Sequence, residues 1–170
     1  MEFKLKPIHQ DGVAEAISKA ELYRNLNQPE DAESICQDIL ATDPENQMAQ
    51  RLMGLAITDQ FTGGLSDRCG EAERIFQGLT DPYERLYYTG LVHERWARAQ
   101  LGAGRPPHTL LVLFERALRC FEEAEKIRPA GNDDAILRWN RVVRLLESRL
   151  GSEWRRQEVE TFDAHDSPPV

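Results

Sequence analysis

The chain has no apolar stretch long enough to cross a bilayer, no closely spaced cysteine pair, no run of basic residues and no glycine-rich phosphate loop. Each absence removes a class of function. The opening segment, MEFKLKPIHQDG, lacks the hydrophobic stretch of a secretory leader, so neither a signal peptide nor a membrane partner is expected. Cys36, Cys69 and Cys120 are odd in number and widely separated, with none at C-x-x-C spacing. This usage points to a reducing compartment, and a cytoplasmic location is expected. A formal net charge of −8, from 29 acidic and 21 basic residues, makes the surface as a whole repel nucleic acid and anionic membranes.

The elements of catalysis are equally sparse. His93-Glu94 begins like the H-E-x-x-H zinc motif, but Ala97 stands where the second histidine is needed, so no metal is expected and His93 reads as a helix-packing side chain. Gly63-Gly64 follows a helical pattern rather than a strand, and no Gly-Lys-Ser or Gly-Lys-Thr occurs, so no phosphate-bearing cofactor is expected. No serine has an assignable histidine and carboxylate partner, and Glu122-Glu123 lies on an exposed helical face. The sequence predicts no catalytic residue, and no enzyme.

What is present is a repeated phrase. Ala32-Cys36-Ile39-Pro44 returns as Ala72-Phe76-Leu79-Pro82 and as Ala117-Phe121-Ala124-Pro129. Offsets of four and three place the first three residues on one helical face, and the proline ends the unit because it cannot continue a helix. A second phrase precedes each: Ala16, Lys19, Ala20 and Tyr23; Gln50, Met53, Gly54 and Ile57; Leu86, Thr89, Gly90 and His93. The small residue at Ala20, Gly54 or Gly90 lets a partner helix approach closely. Ala20 and Gly54 lie 34 positions apart, the period of a paired-helix repeat. Cys36 occupies an inner position of its phrase and reads as a small core hydrophobe.

These residues resemble the tetratricopeptide repeat (TPR) family, whose pattern is W-x₂-L-G-x₂-Y…A-x₃-F…P. The likeness spans 13–129, and the helix after it resembles that family's capping helix. Two departures stand: Ala16, Gln50 and Leu86 replace the opening tryptophan, and Lys19 replaces an apolar residue. Lys19 fits an end repeat whose outer face meets water, or a first repeat that packs imperfectly. The resemblance implies an all-α fold: a right-handed α-solenoid of three TPR-like hairpins plus a C-terminal capping helix.

The expected organisation is a polar lead-in at 1–12, hairpins at 13–44, 47–81 and 82–129, a capping helix at 132–150 started by Asn132 and stopped by Gly151, and an acidic, disordered tail at 151–170. Surplus residues in the second hairpin collect in its turn at 61–67, where two glycines mark a surface loop. Both arms of the third hairpin outgrow the repeat. Its apolar run at 110–114 reads as core beneath the capping helix; the alternative is an exposed patch for self-association. Trp154 and Phe162 in the tail read as part of a solubilising segment or as a short recognition motif.

The resemblance implies a concave groove lined by the first helix of each hairpin. Helical spacing nominates Ile17, Glu21 and Arg24 in the first repeat, and Arg51, Leu55 and Thr58 in the second. In the third it nominates Tyr87, Leu91 and Glu94, and on the cap Ile136, Asn140 and Val143. A face mixing arginine, tyrosine and aliphatic residues suits a protein or peptide ligand. The bland alternative packs Tyr87 and Leu91 under the cap and leaves Arg24 and Arg51 solvated. The lysine–asparagine clamp with which some family members hold a C-terminal carboxylate is absent. The expected function is a non-catalytic protein-interaction module, an adaptor or scaffold. Its rivals are a cytoplasmic chaperone for a secreted substrate and a structural homo-oligomer joined through the third hairpin.

Overall fold

Prolines and short polar side chains decide where the helices begin. Pro29 and Pro82 stand in the first turn of their helices, where no backbone donor is missed. Asn46 accepts from the Ala49 amide at 2.9 Å and Asp81 from the Tyr83 amide at 2.8 Å, each satisfying a donor the helix leaves open. The computed structural model describes the backbone of residues 3–163 and the side chains of residues 3–151. Among the described residues there are seven α-helices and no strand. They are α1 (Val13–Asn25), α2 (Pro29–Thr42), α3 (Gln47–Asp59), α4 (Cys69–Gln77), α5 (Pro82–Gly102), α6 (Leu111–Lys126) and α7 (Asp134–Asp163).

The last helix differs from expectation. It runs through Gly151 to Asp163, because one glycine inside a helix costs only about 1 kcal/mol and good helix formers follow it. Residues 164–170 lie outside the described residues, as do the side chains of Trp154 and Phe162.

Each helix packs mainly on its neighbours in the chain, and lesser contacts join α1 to α3 and α3 to α5. Within the second and third pairs the glycines decide how close the helices come. A Cβ built on Gly54 would stand 2.5 Å from the tip of the Phe76 ring, and one on Gly90 would stand 2.8 Å from Phe121 and 3.0 Å from the Cys120 Cβ. Both rings are buried. The first pair sets the larger Ala20 and the smaller Cys36 in one core cluster, with less side chain between the helices than glycine and phenylalanine supply.

That cluster gathers Ala20, Cys36, Met53, Ile57, Phe76 and Val92 across the first five helices; a second gathers Tyr83, Phe114, Phe121, Ala135 and Val142 from α5 to α7. Tyrosines of α5 join them. Tyr88 stacks on Phe76 at 4.9 Å, Tyr87 meets Tyr88 edge-on at 5.1 Å, and Tyr87 lies 6.0 Å from Phe121. The run at 110–114 divides between core and surface: Leu110 and Phe114 are buried, while Val112 is 56% exposed.

The long turn of the second hairpin is a built element. The Asp67 carboxylate accepts from the Thr62 and Gly63 amides at 2.8 and 2.7 Å. Gly63, at φ +83°, presses on the α5 backbone, where a Cβ would stand 2.5 Å from the Ala99 carbonyl oxygen. The surplus residues of the second hairpin therefore brace the surplus turns of the third.

A buried carboxylate ties α2 to the start of α4. Glu33 receives both ends of the Arg68 guanidinium, at 2.8 and 2.6 Å, and the Gln60 amide at 2.7 Å. The Arg68 hydrogen bonds hold its carboxyl below the ordinary glutamate range, against the opposing pull of burial.

Two outcomes follow from this packing. Gly54→Ala is expected to destabilise the fold by about 1–3 kcal/mol, the strain of overpacking exceeding the helix-propensity gain. Adding Phe76→Leu is expected to return part of that loss, read as a coupling term in a thermal double-mutant cycle. The Glu33 contribution, with a folded pKa below the unfolded one, is complete above roughly pH 4.3 and disappears as pH falls through the folded value. Arg68→Met should cost about 1–2 kcal/mol at neutral pH, discounted because Arg68 is partly solvated, and should flatten the acid limb of a melting-temperature profile.

Candidate functional site

Three clefts lie between odd-numbered helices. The first, between α1 and α3 with Tyr88 of α5 at its edge, has a volume of about 410 Å³ and is lined by Glu21, Arg24, Met48, Arg51 and Leu55 among others. The second, between α3 and α5, is about 380 Å³ and is lined by Thr58, Asp59, Phe61, Arg95 and Arg98. The third, between α5 and α7, is about 480 Å³ and is lined by Arg98, Leu101, Arg141, Arg144, Leu145 and Arg149. Arg98 is common to the second and third.

The twelve nominated residues divide accordingly. Glu21, Arg24, Arg51 and Leu55 come together on the first cleft. Ile17 is half-buried against the core beside it. Thr58 is buried in the wall of the second cleft, and Leu91 and Glu94 are buried. The cause is shared by two of them, since the next odd helix covers each with arginine. Arg95 donates to the Thr58 hydroxyl at 2.7 Å, and Arg138 and Arg141 approach Glu94. Tyr87 is half-buried, stacked on Tyr83, and Arg138 donates to its hydroxyl at 3.4 Å.

The nominated residues of α7 stand apart from the third cleft. Ile136, Asn140 and Val143 are half-buried, and none of them lines the third cleft. The apolar stripe of α7 that docks on α5 and α6 is Ala135, Trp139, Val142 and Leu146. Turning that stripe inward brings Arg138, Arg141, Arg144 and Leu145 to the α5 side. The arginines of this end were missed because no basic run exists in the sequence. Their signal was the three-residue step of 95 and 98 on α5 and of 138, 141 and 144 on α7, which puts side chains on one helical face.

Electrostatics differ along the series. Arg24 and Arg51 are engaged, the first with Asp59 at 2.8 Å and the second with Glu84 at 2.6 Å. Asp59 also takes Arg95, whose burial lowers its pKa against the pull of that aspartate. At the third cleft Glu94, fully buried, has Arg98 at 3.7 Å, Arg138 at 3.5 Å and Arg141 at 3.4 Å. Neither of its oxygens accepts a hydrogen bond. Burial and the neighbouring Arg141 lower the Arg98 pKa despite Glu94. Three guanidiniums thus share one carboxylate as ion pairs, without a hydrogen bond to it.

Groups suited to covalent or metal chemistry are placed elsewhere. Burial pushes the Cys36 and Cys69 thiols up to about 12, so both are protonated at neutral pH. His93 sits 3.8 Å from Glu73, and burial lowers its pKa. Among the described residues no three histidine, cysteine, aspartate or glutamate side chains group as metal ligands, and no helix is long and apolar enough to cross a membrane.

Because Glu94 is the one carboxylate among the described residues in an ion pair with Arg98, Arg138 and Arg141, Glu94→Gln is expected to leave mutually repelling guanidiniums. Chemical denaturation should show a loss on the order of 1–3 kcal/mol at low ionic strength, shrinking as salt screens the arginines.

The chain matches no protein-family model, no curated protein and no solved structure, so the meaning of these clefts is argued from their own geometry.

Proposed function

We propose that this chain is a TPR-like right-handed stack of three helical hairpins and a terminal helix. In this reading it works as a non-catalytic interaction module, holding an extended or helical segment of another protein along the α1–α3–α5–α7 side. The observation that carries the reading is the series of clefts, one between each successive pair of odd helices. The repeat phrases support it, since each places a small residue where two helices meet. So does the pattern of contacts between α1 and α3 and between α3 and α5.

The first cleft supplies the chemistry of a peptide seat. Leu55 and Met48 give apolar surface, Tyr88 closes one side, and Glu21, Arg24 and Arg51 surround them with charge. Apolar anchors ringed by polar groups concentrate binding energy in few residues and leave register to the charges. The Arg51–Glu84 ion pair fixes the guanidinium across α3 and α5 before any ligand arrives, which lowers the ordering cost of binding.

Affinity capture from source cells tests the reading. Met48→Glu with Arg51→Glu should abolish recovery of the partner, while Glu122→Arg with Glu123→Arg on the outer helix α6 should leave it intact. Circular dichroism should show equal helicity in all three proteins. Capture that survives the first pair would remove the site from this face, and a mass in light scattering that exceeds one chain would point to self-association instead.

A further inference from the structure

The third cleft has an excess of positive charge in a chain that is otherwise acidic. The formal net charge of the chain is −8. Yet Arg98, Arg138 and Arg141 converge on one carboxylate, and Arg144 lines the same cleft with no ion pair among the described residues. Glu94 therefore compensates one positive charge of three. It is fully buried and accepts no hydrogen bond, so the arginine donors are not spent on it. The side chains of Arg98 and Arg141 remain 40% and 50% exposed, with their guanidiniums within reach of solvent.

We propose that the α5/α7 cleft is an anion-recognition subsite for the side-chain carboxylates of an acidic partner peptide. Arg98, Arg141 and Arg144 are its pairing groups, and Glu94 is the internal carboxylate that gathers the first two before the peptide arrives. The proposal rests on the reading of this face as a peptide seat and specifies the chemistry of its ligand.

Three features favour carboxylates on a peptide. Every cation of the cluster is arginine, whose planar fork pairs with a carboxylate through two parallel hydrogen bonds, whereas lysine offers a point charge. Leu101 and Leu145 border the cleft, giving an aliphatic wall for an apolar residue between two acids. A long polyanion such as RNA would run beyond the cluster onto a surface of net negative charge. The neighbouring α3/α5 cleft differs in that Arg24 and Arg95 both donate hydrogen bonds to Asp59, so those guanidiniums are already engaged. Arrival of one or two carboxylates would relieve repulsion among guanidiniums that Glu94 alone leaves undercompensated.

The test is fluorescence anisotropy on the full chain, with a labelled twelve-residue peptide alternating glutamate and leucine, its glutamine counterpart, and a labelled single-stranded RNA of the same length. Wild type should bind the glutamate peptide at least tenfold more tightly than either other probe, with affinity falling as salt rises. Arg141→Glu with Arg144→Glu should cost at least tenfold. Arg144→Glu alone, remote from Glu94, should cost at least threefold even if the double variant is impaired in folding. Equal binding of the glutamine peptide, tighter binding of RNA, no binding of the glutamate peptide, or indifference to Arg144→Glu would each overturn the proposal. The broader reading has its own check. Partner capture lost on substituting Met48 and Arg51 but untouched by Arg144→Glu sinks the acidic ligand alone, and capture untouched by either sinks both.

Discussion

Everything in this fold depends on how closely two helices of a pair can approach. Gly54 meets the end of the Phe76 ring and Gly90 the edge of Phe121, at separations no side chain on the glycine would permit. A ring seated against bare backbone buries its area and fixes the helix spacing at the same time. The spacing then propagates. Tyr88 stacks on Phe76 and Tyr87 approaches Phe121, so the tyrosines of α5 couple the two core clusters only because both rings are held where they are. In the first pair Ala20 and Cys36 stand at these positions with less side-chain volume.

The second constraint is length. α5 spans 21 residues against 13 in each of α1 and α3, and its last turns would be unsupported if the preceding hairpin ended in a short loop. The turn at 61–67, stapled by Asp67 and flattened by Gly63, rests on that extension. Beyond it, α7 lies along the other side with Ala135 and Val142 buried. The extra turns of α5 carry Arg95 and Arg98, so the length of this helix is also what builds the second and third clefts.

This explains what could be read in advance. Helix starts at Pro29, Pro82, Asn46 and Asp81 are legible in principle, because local chemistry at a helix start is short-range. The small-residue and ring positions followed from phrases that repeat. The outward face of α1 and α3 was legible too, and it brought Glu21, Arg24, Arg51 and Leu55 together. The burial of Thr58 and Glu94 was not, because it depends on the next odd helix laying arginines over them, which a single helix's periodicity cannot express. The face of α7 beside the cleft was missed for a different reason: its apolar side of Trp139, Val142, Val143, Leu145 and Leu146 was legible, but no repeat phrase covers this helix to say which of its other faces borders α5. Gly151 misled as a stop because a helix already anchored on a core can absorb a glycine.

Charge separation is the last consequence of the same geometry. A chain with eight excess negative charges need not be negative everywhere. Helical offsets of three and four sort residues by face, and two helices then combine their faces. Here the sorting gathers arginines from α5 and α7 into a cleft whose inner carboxylate is too few for them, while Glu115, Glu122, Glu123 and Glu125 stand on exposed positions of α6. Surplus arginines around a single buried glutamate make an empty cleft costly, because that glutamate offsets only part of their charge and leaves the rest for an anion to neutralise. The same acidic exterior discourages polyanions that extend past it. Selectivity for a short acidic segment would then arise from the contrast between the cleft and its surroundings, since the cluster attracts every anion and only the surface beyond it distinguishes a short one from a long one.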